Sequence, residues 1–83
     1  MVVETSWLGS DGVAVDFPAH IQLVSRNIGV LCLTEKLSSG QEITLRRRQY
    51  NNVWKSTRAR VGGEIDRDAE SFLYAFRVLE PMN

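Results

Sequence analysis

The feature that most constrains this chain is its short-range alternation of apolar and polar residues, broken every few positions by turn residues. Ala19, Ile21 and Leu23 alternate with His20 and Gln22, and Ile43 and Leu45 alternate with Thr44 and Arg46. A period of two is that of a half-buried strand, whose successive side chains point to opposite faces. Gly9-Ser10-Asp11-Gly12 separates Thr5–Leu8 from Val13–Phe17 and reads as a hairpin turn. Pro18 limits ladder pairing beyond it, because proline has no amide hydrogen to donate. Ser25-Arg26-Asn27, Ser38-Ser39-Gly40 and Asn51-Asn52 are further turns. Between them lie the strands Ile28–Thr34, Gln41–Tyr50 and Val53–Gly62, with Gly62-Gly63 ending the last of these. Ile28–Thr34 is apolar on both faces and is expected to be the most central strand.

Glu64 to Ser71 is polar and acidic and reads as a loop before a closing strand, Phe72–Leu79. Ile65, Ala69, Phe72 and Phe76 also fit one helix face. The density of aromatic and β-forming residues from Phe72 onward favours strand. Phe72, Tyr74 and Phe76 share one face of it, a candidate surface for pairing two copies. With no internal repeat or linker, residues 1–83 read as a single all-β domain.

Size and composition exclude several classes of function. A domain of 83 residues has little room for both a core and a deep catalytic cleft. No apolar run approaches the roughly 20 residues that cross a bilayer, so no membrane insertion is expected. The start, MVVETSWLGSDG, lacks the basic and apolar regions of a signal peptide, which gives a cytoplasmic expectation. Cys32 is the only cysteine and lies in the apolar run Val30–Leu33, where a buried thiol is expected. His20 has no second His or Cys to share a metal. Glu64, Asp66, Asp68 and Glu70 lack the glycine and terminal glutamate spacing of a calcium loop. No nucleophile with an evident base, no G-x-S-x-G, no P-loop and no dinucleotide fingerprint occurs, so neither an enzyme nor a cofactor is expected. Trp7 reads as a core or rim aromatic.

Ten basic and ten acidic residues cancel, but unevenly. Residues 43 to 63 hold Arg46, Arg47, Arg48, Lys55, Arg58 and Arg60 and no acid, whereas 64 to 70 hold four acids and Arg67. The register of this basic hairpin decides what its arginines face. A two-residue loop would place Leu45 opposite Arg58, mixing core with surface. A three-residue loop, Asn51 to Val53, places Ile43 opposite Val61 and Leu45 opposite Ala59. Outward, it sets Arg46 against Arg58, Thr44 against Arg60, Arg48 against Ser56 and Tyr50 against Trp54. Like charges directly opposite one another are destabilising. Arg46, Arg48, Arg58 and Arg60 beside Tyr50 and Trp54 therefore form a candidate anion-binding face, since guanidinium forks suit phosphate and aromatic rings stack on bases. The bland reading is that the acidic stretch folds back over this patch, or that water solvates it.

The segment from His20 to Pro81 resembles a PilZ-type domain. The likeness rests on order and spacing: the turn Val24-Ser25-Arg26-Asn27-Ile28-Gly29, the strand Val30-Leu31-Cys32-Leu33, Leu37 and Gly40 before Gln41–Leu45, then Thr57–Val61 and a closing strand ending Arg77-Val78-Leu79-Glu80-Pro81. The resemblance implies a small antiparallel six-stranded β-barrel of split-barrel type. It also implies a role in bacterial signalling, commonly through cyclic di-GMP. The family binds that dinucleotide with R-x-x-x-R and [D/N]-x-S-x-x-G motifs. Here no two arginines stand four apart, Leu23 replaces the acid or amide, and Ile28 occupies the glycine position, with Gly29 one residue late. Ser25 alone carries over, with Arg26, Asn27 and Gly29 its neighbours in the turn. The expectation is a regulatory binding module with a degenerate cyclic di-GMP site, binding weakly or not at all and acting through a protein partner. The alternative is a small barrel that binds single-stranded nucleic acid through Arg46, Arg48, Arg58 and Arg60.

Overall fold

The computed structural model describes residues 1–48, 54–68 and 70–79. Six strands follow in chain order: β1 (Val2–Leu8), β2 (Ala14–Leu23), β3 (Ile28–Leu33), β4 (Glu42–Arg48), β5 (Trp54–Arg67) and β6 (Phe72–Val78). All neighbouring pairs are antiparallel, and the order β1-β2-β3-β6-β5-β4 closes on itself through β1 and β4. Each strand thereby has a hydrogen-bonded neighbour on both sides over part of its length. The described residues contain no helix, so the helical spacing of Ile65 to Phe76 is not used.

The alternation legible in the sequence becomes an inside and an outside. Val3, Ala19, Ile21, Leu31, Leu33, Ile43, Leu45, Ala59 and Val61 point inward, and β6 contributes Tyr74, Phe76 and Val78. The aromatic face of β6 therefore fills the barrel and is not available to pair two copies. Cys32 lies between the inward Leu31 and Leu33, so the same alternation turns it outward, half-buried instead of buried. Thr5 is fully enclosed, and its hydroxyl donates to the Phe17 carbonyl at 2.7 Å. Trp7 stacks on Phe17 with ring centroids 5.5 Å apart and packs against the edge of the core.

The β1–β2 turn has its expected chemistry. Gly12 is left-handed at φ 79°, its amide donates to the Gly9 carbonyl, and the Asp11 carboxylate accepts the Val13 amide. Pro18 does not divide β2. The Ile21 amide donates to the Met1 carbonyl, so odd-numbered residues of β2 bond toward β1 and even-numbered ones toward β3. The β2–β3 ladder runs only from His20 to Leu23, so the missing amide of Pro18 falls past its end.

In a closed barrel no strand is central, and β3 simply lies between β2 and β6. The link from β3 to β4 must cross to the opposite side of the barrel, and it does so over one end. Leu37, 5% exposed, plugs that end, and its amide donates to the Tyr74 hydroxyl at 2.8 Å. The link then turns at Gly40, φ 86°, where the Gly40 amide donates to the Val61 carbonyl.

Two boundaries depart from expectation. β5 does not stop at Gly62-Gly63; it runs on to Arg67, with register shifts between Val61 and Glu64 and between Glu64 and Asp66. β6 supplies backbone partners along this stretch, and that pairing outweighs its polar composition. The acidic loop shrinks to the turn at Asp68–Ser71, where one Asp68 carboxylate oxygen accepts from the Glu70 and Ser71 amides and the Ser71 hydroxyl. These bonds, the Glu70 amide foremost, hold the Asp68 carboxyl below the usual carboxylate range.

The β4–β5 register is the second departure. Ile43 faces Ala59 and Leu45 faces Thr57, two residues away from the expected alignment. A shift of two keeps every inward residue inward, so burial alone does not distinguish the two registers. The choice is anchored at the other end of the hairpin, where the Val61 amide donates to the Gln41 carbonyl.

Candidate functional site

The register shift rearranges the basic face. Arg46 lies opposite Ser56, Thr44 opposite Arg58, Glu42 opposite Arg60 and Arg48 opposite Trp54. Arg46 forms an ion pair with Asp16 at 3.2 Å, and Arg58 one with Glu42 at 3.0 Å. The acids thus come from β2 and β4, not from the stretch 64–70. That stretch instead supplies Glu64 to Arg67 in a bidentate pair, with the Arg67 guanidinium 5.0 Å from the Phe72 ring centroid. Tyr50 and the side chains of Arg48 and Trp54 lie outside the described part of the molecule. Arg46 and Arg58 are diagonal neighbours on the outward side of β4 and β5, and Arg60 follows two residues beyond Arg58, opposite Glu42.

The turn after β2 is built by the backbone. The Val24 and Ser25 amides both donate to the Ile28 carbonyl, and the Val78 amide donates to the Asn27 carbonyl, which ties the turn to β6. The Ser25 hydroxyl oxygen accepts from the Asn27 amide at 3.4 Å, a long contact. Ser25, Arg26 and Asn27 are exposed at the tip. Gly29 is separated from them. It is buried in the barrel wall, where an added Cβ would lie 2.7 Å from the Gln22 carbonyl oxygen and 2.8 Å from the Phe76 ring. Its missing side chain makes room for Phe76.

The turn overhangs a cavity of about 260 Å³ at the end of the barrel remote from Leu37. Buried Val3, Ile21, Leu45, Thr57, Phe76 and Val78 form its floor, and Met1, Leu23, Arg26 and Arg47 stand exposed around its opening. Arg46 also borders it. The structure thereby brings Arg26 of the turn and Arg46 of the basic hairpin to one opening, two residues that the sequence assigns to separate sites.

A shallower hollow of about 350 Å³ lies on the outer wall. Arg60 and Arg77 flank it, directly opposite each other on β5 and β6, with Ile28 and Leu79 beside them and Gly62 and Ala75 at its base. Sequence reasoning places Arg60 in a basic face but misses Arg77. The outward alternation of β6 marks Arg77 as exposed, but the β5–β6 partnership passes through irregular pairing that no local pattern specifies.

Among the described residues no group of three or more His, Cys, Asp or Glu is placed to hold a metal ion, and no helix is long and apolar enough to cross a membrane. Fold and site together define the class: a small closed antiparallel β-barrel with an apolar, arginine-rimmed opening at one end. No family model, curated protein or solved structure matches the chain.

Proposed function

We propose that this barrel is a PilZ-like regulatory binding module of bacterial signalling, with a degenerate cyclic di-GMP site, that acts through a protein partner. The observation that carries the reading is the closed six-stranded antiparallel barrel, the architecture implied by the resemblance of His20–Pro81 to that family. The exposed Ser25 turn at the end of β2 supports it further. Degeneracy follows from the residues around that turn. Leu23 and Ile28 offer a guanine or a phosphate no hydrogen-bond partner from their side chains, and Gly29 is occupied in packing against Phe76.

Titration of the labelled protein with cyclic di-GMP, followed by chemical shifts, tests the reading. The expected result is weak perturbation at Ser25–Gly29, or none. Saturation at micromolar dinucleotide would overturn the degeneracy. A single-stranded oligonucleotide titrated in parallel addresses the alternative of nucleic-acid binding through Arg46, Arg48, Arg58 and Arg60. The ion pairs of Arg46 with Asp16 and of Arg58 with Glu42 weaken that alternative, which requires salt-sensitive shifts across all four.

A further inference from the structure

We infer that the cavity at the open end of the barrel is a binding site for a slim amphiphilic anion, an alkyl-type tail carrying one carboxylate or similar head group. Three observations converge on this chemistry. The floor is mainly apolar: Val3, Ile21, Leu45, Phe76 and Val78 offer a ligand dispersion contacts, and Thr57 is the buried polar side chain among them. Water gains little in such a space, because it needs two or more polar partners to be held. The volume, about 260 Å³, falls just short of the roughly 300 Å³ at which drug-sized pockets begin. It suits a narrow chain and is too small for a dinucleotide.

The opening supplies the selectivity for an anion. Arg26 and Arg47 stand exposed beside it, and neither has a carboxylate partner among the described residues. Arg47 lies directly opposite Lys55 across β4 and β5, which places two cationic residues at this end of the hairpin. Arg46, which also borders the cavity, is engaged by Asp16, so the excess positive charge belongs to Arg26 and Arg47. Apolar Met1 and Leu23 continue the floor outward to solvent, 52% and 44% exposed, and so provide an entry lined by the same chemistry. An apolar shaft below and guanidinium groups above is the arrangement that a fatty-acid-like molecule complements.

The test uses the full chain labelled with nitrogen-15 and titrated with sodium octanoate, 1-octanol and sodium acetate, each below its aggregation concentration. Octanoate is expected to give saturable shifts at Val3, Ile21, Leu45, Phe76 and Val78, octanol weaker ones at the same amides, and acetate none. The double variant Arg26→Gln/Arg47→Gln is expected to weaken octanoate binding at least about tenfold, through loss of charge-assisted hydrogen bonds, and to leave octanol unchanged. Leu23→Trp, a change at an already exposed position, should close the entry and abolish binding while the rest of the spectrum stays that of the folded barrel. Absence of saturable octanoate shifts, or equal affinity of octanoate for the wild type and the double variant, would overturn the assignment.

Discussion

The Tyr74 hydroxyl accepts a hydrogen bond from the Leu37 backbone amide at 2.8 Å, across 37 positions of sequence and inside the barrel. One side chain thereby does two things. Its ring, 2% exposed, fills the core from β6, and its oxygen ties down the link that plugs one end. Tyr74→Phe keeps the ring and removes the oxygen, leaving a buried amide without its partner. Such a loss costs about 1–3 kcal/mol, and the urea midpoint should fall accordingly. Thr5→Val is the control. The Phe17 carbonyl it abandons lies in the β1–β2 ladder, so the loss should be smaller, about 1 kcal/mol or less.

Gly29 separates the packing role of the Ser25 turn from any binding role. Gly29→Ala would force a Cβ against the Gln22 carbonyl and the Phe76 ring, and backbone on one side leaves little room to relax. Overpacking of this kind costs typically about 1–3 kcal/mol. Ser25→Ala, at the exposed tip, should stay within about 0.5 kcal/mol of wild type. Chemical denaturation of the two variants checks the contrast, and equal stabilities would mean that the wall at Gly29 yields more easily than its geometry suggests.

Arg60 and Arg77 face each other across β5 and β6, both exposed. Their repulsion should be visible as salt dependence. Arg77→Gln is expected to raise stability by a few tenths of a kcal/mol at low ionic strength, and the gain should shrink as salt screens the wild-type pair. Thermal midpoints at two salt concentrations measure this. A loss of stability in the variant at low salt would show that the Arg77 stem contributes more by packing than its charge costs.

Asp68 sets an acid-sensitive element at the β5–β6 turn. Hydrogen bonds to its ionised form from the Glu70 amide, then from Ser71, lower its folded-state value below that of the unfolded chain. Its contribution is therefore present above the unfolded value and lost as pH falls through the folded one. Asp68→Asn, which cannot ionise, should be less stable than wild type at neutral pH. The difference should close on acidification below the ordinary carboxylate range. Midpoints measured from neutral to acid pH check this, and a gap that stays constant would exclude the carboxylate as its source.

The sequence by itself determined the all-β class, the turns at Gly9–Gly12, Ser25–Asn27 and Ser38–Gly40, and the inward positions of the alternating strands. Those follow from local facts: a strand presents alternate side chains to one face, and Asp11-Gly12 and Gly40 supply the backbone freedom that tight turns require. The inward positions of Ala19, Ile21, Ile43 and Leu45 are accordingly legible from period two alone. What the tertiary structure decided is everything that depends on which rung meets which. Alternation specifies register only to within steps of two, so placing Ile43 opposite Val61 or opposite Ala59 buries the same residues. The Gln41–Val61 contact and closure of β4 onto β1 make the choice. That choice moves Arg46 from directly opposite Arg58 to a diagonal position on the same outward side. Closure also brings Arg26 and Arg47, 21 positions apart in the chain, to one apolar opening. Pairing with β6, not composition, carries β5 through Gly62-Gly63 and sets Arg77 against Arg60. A site assembled from the ends of five strands and a turn has no local signature, because the physical cause of each contact is the closing of the barrel.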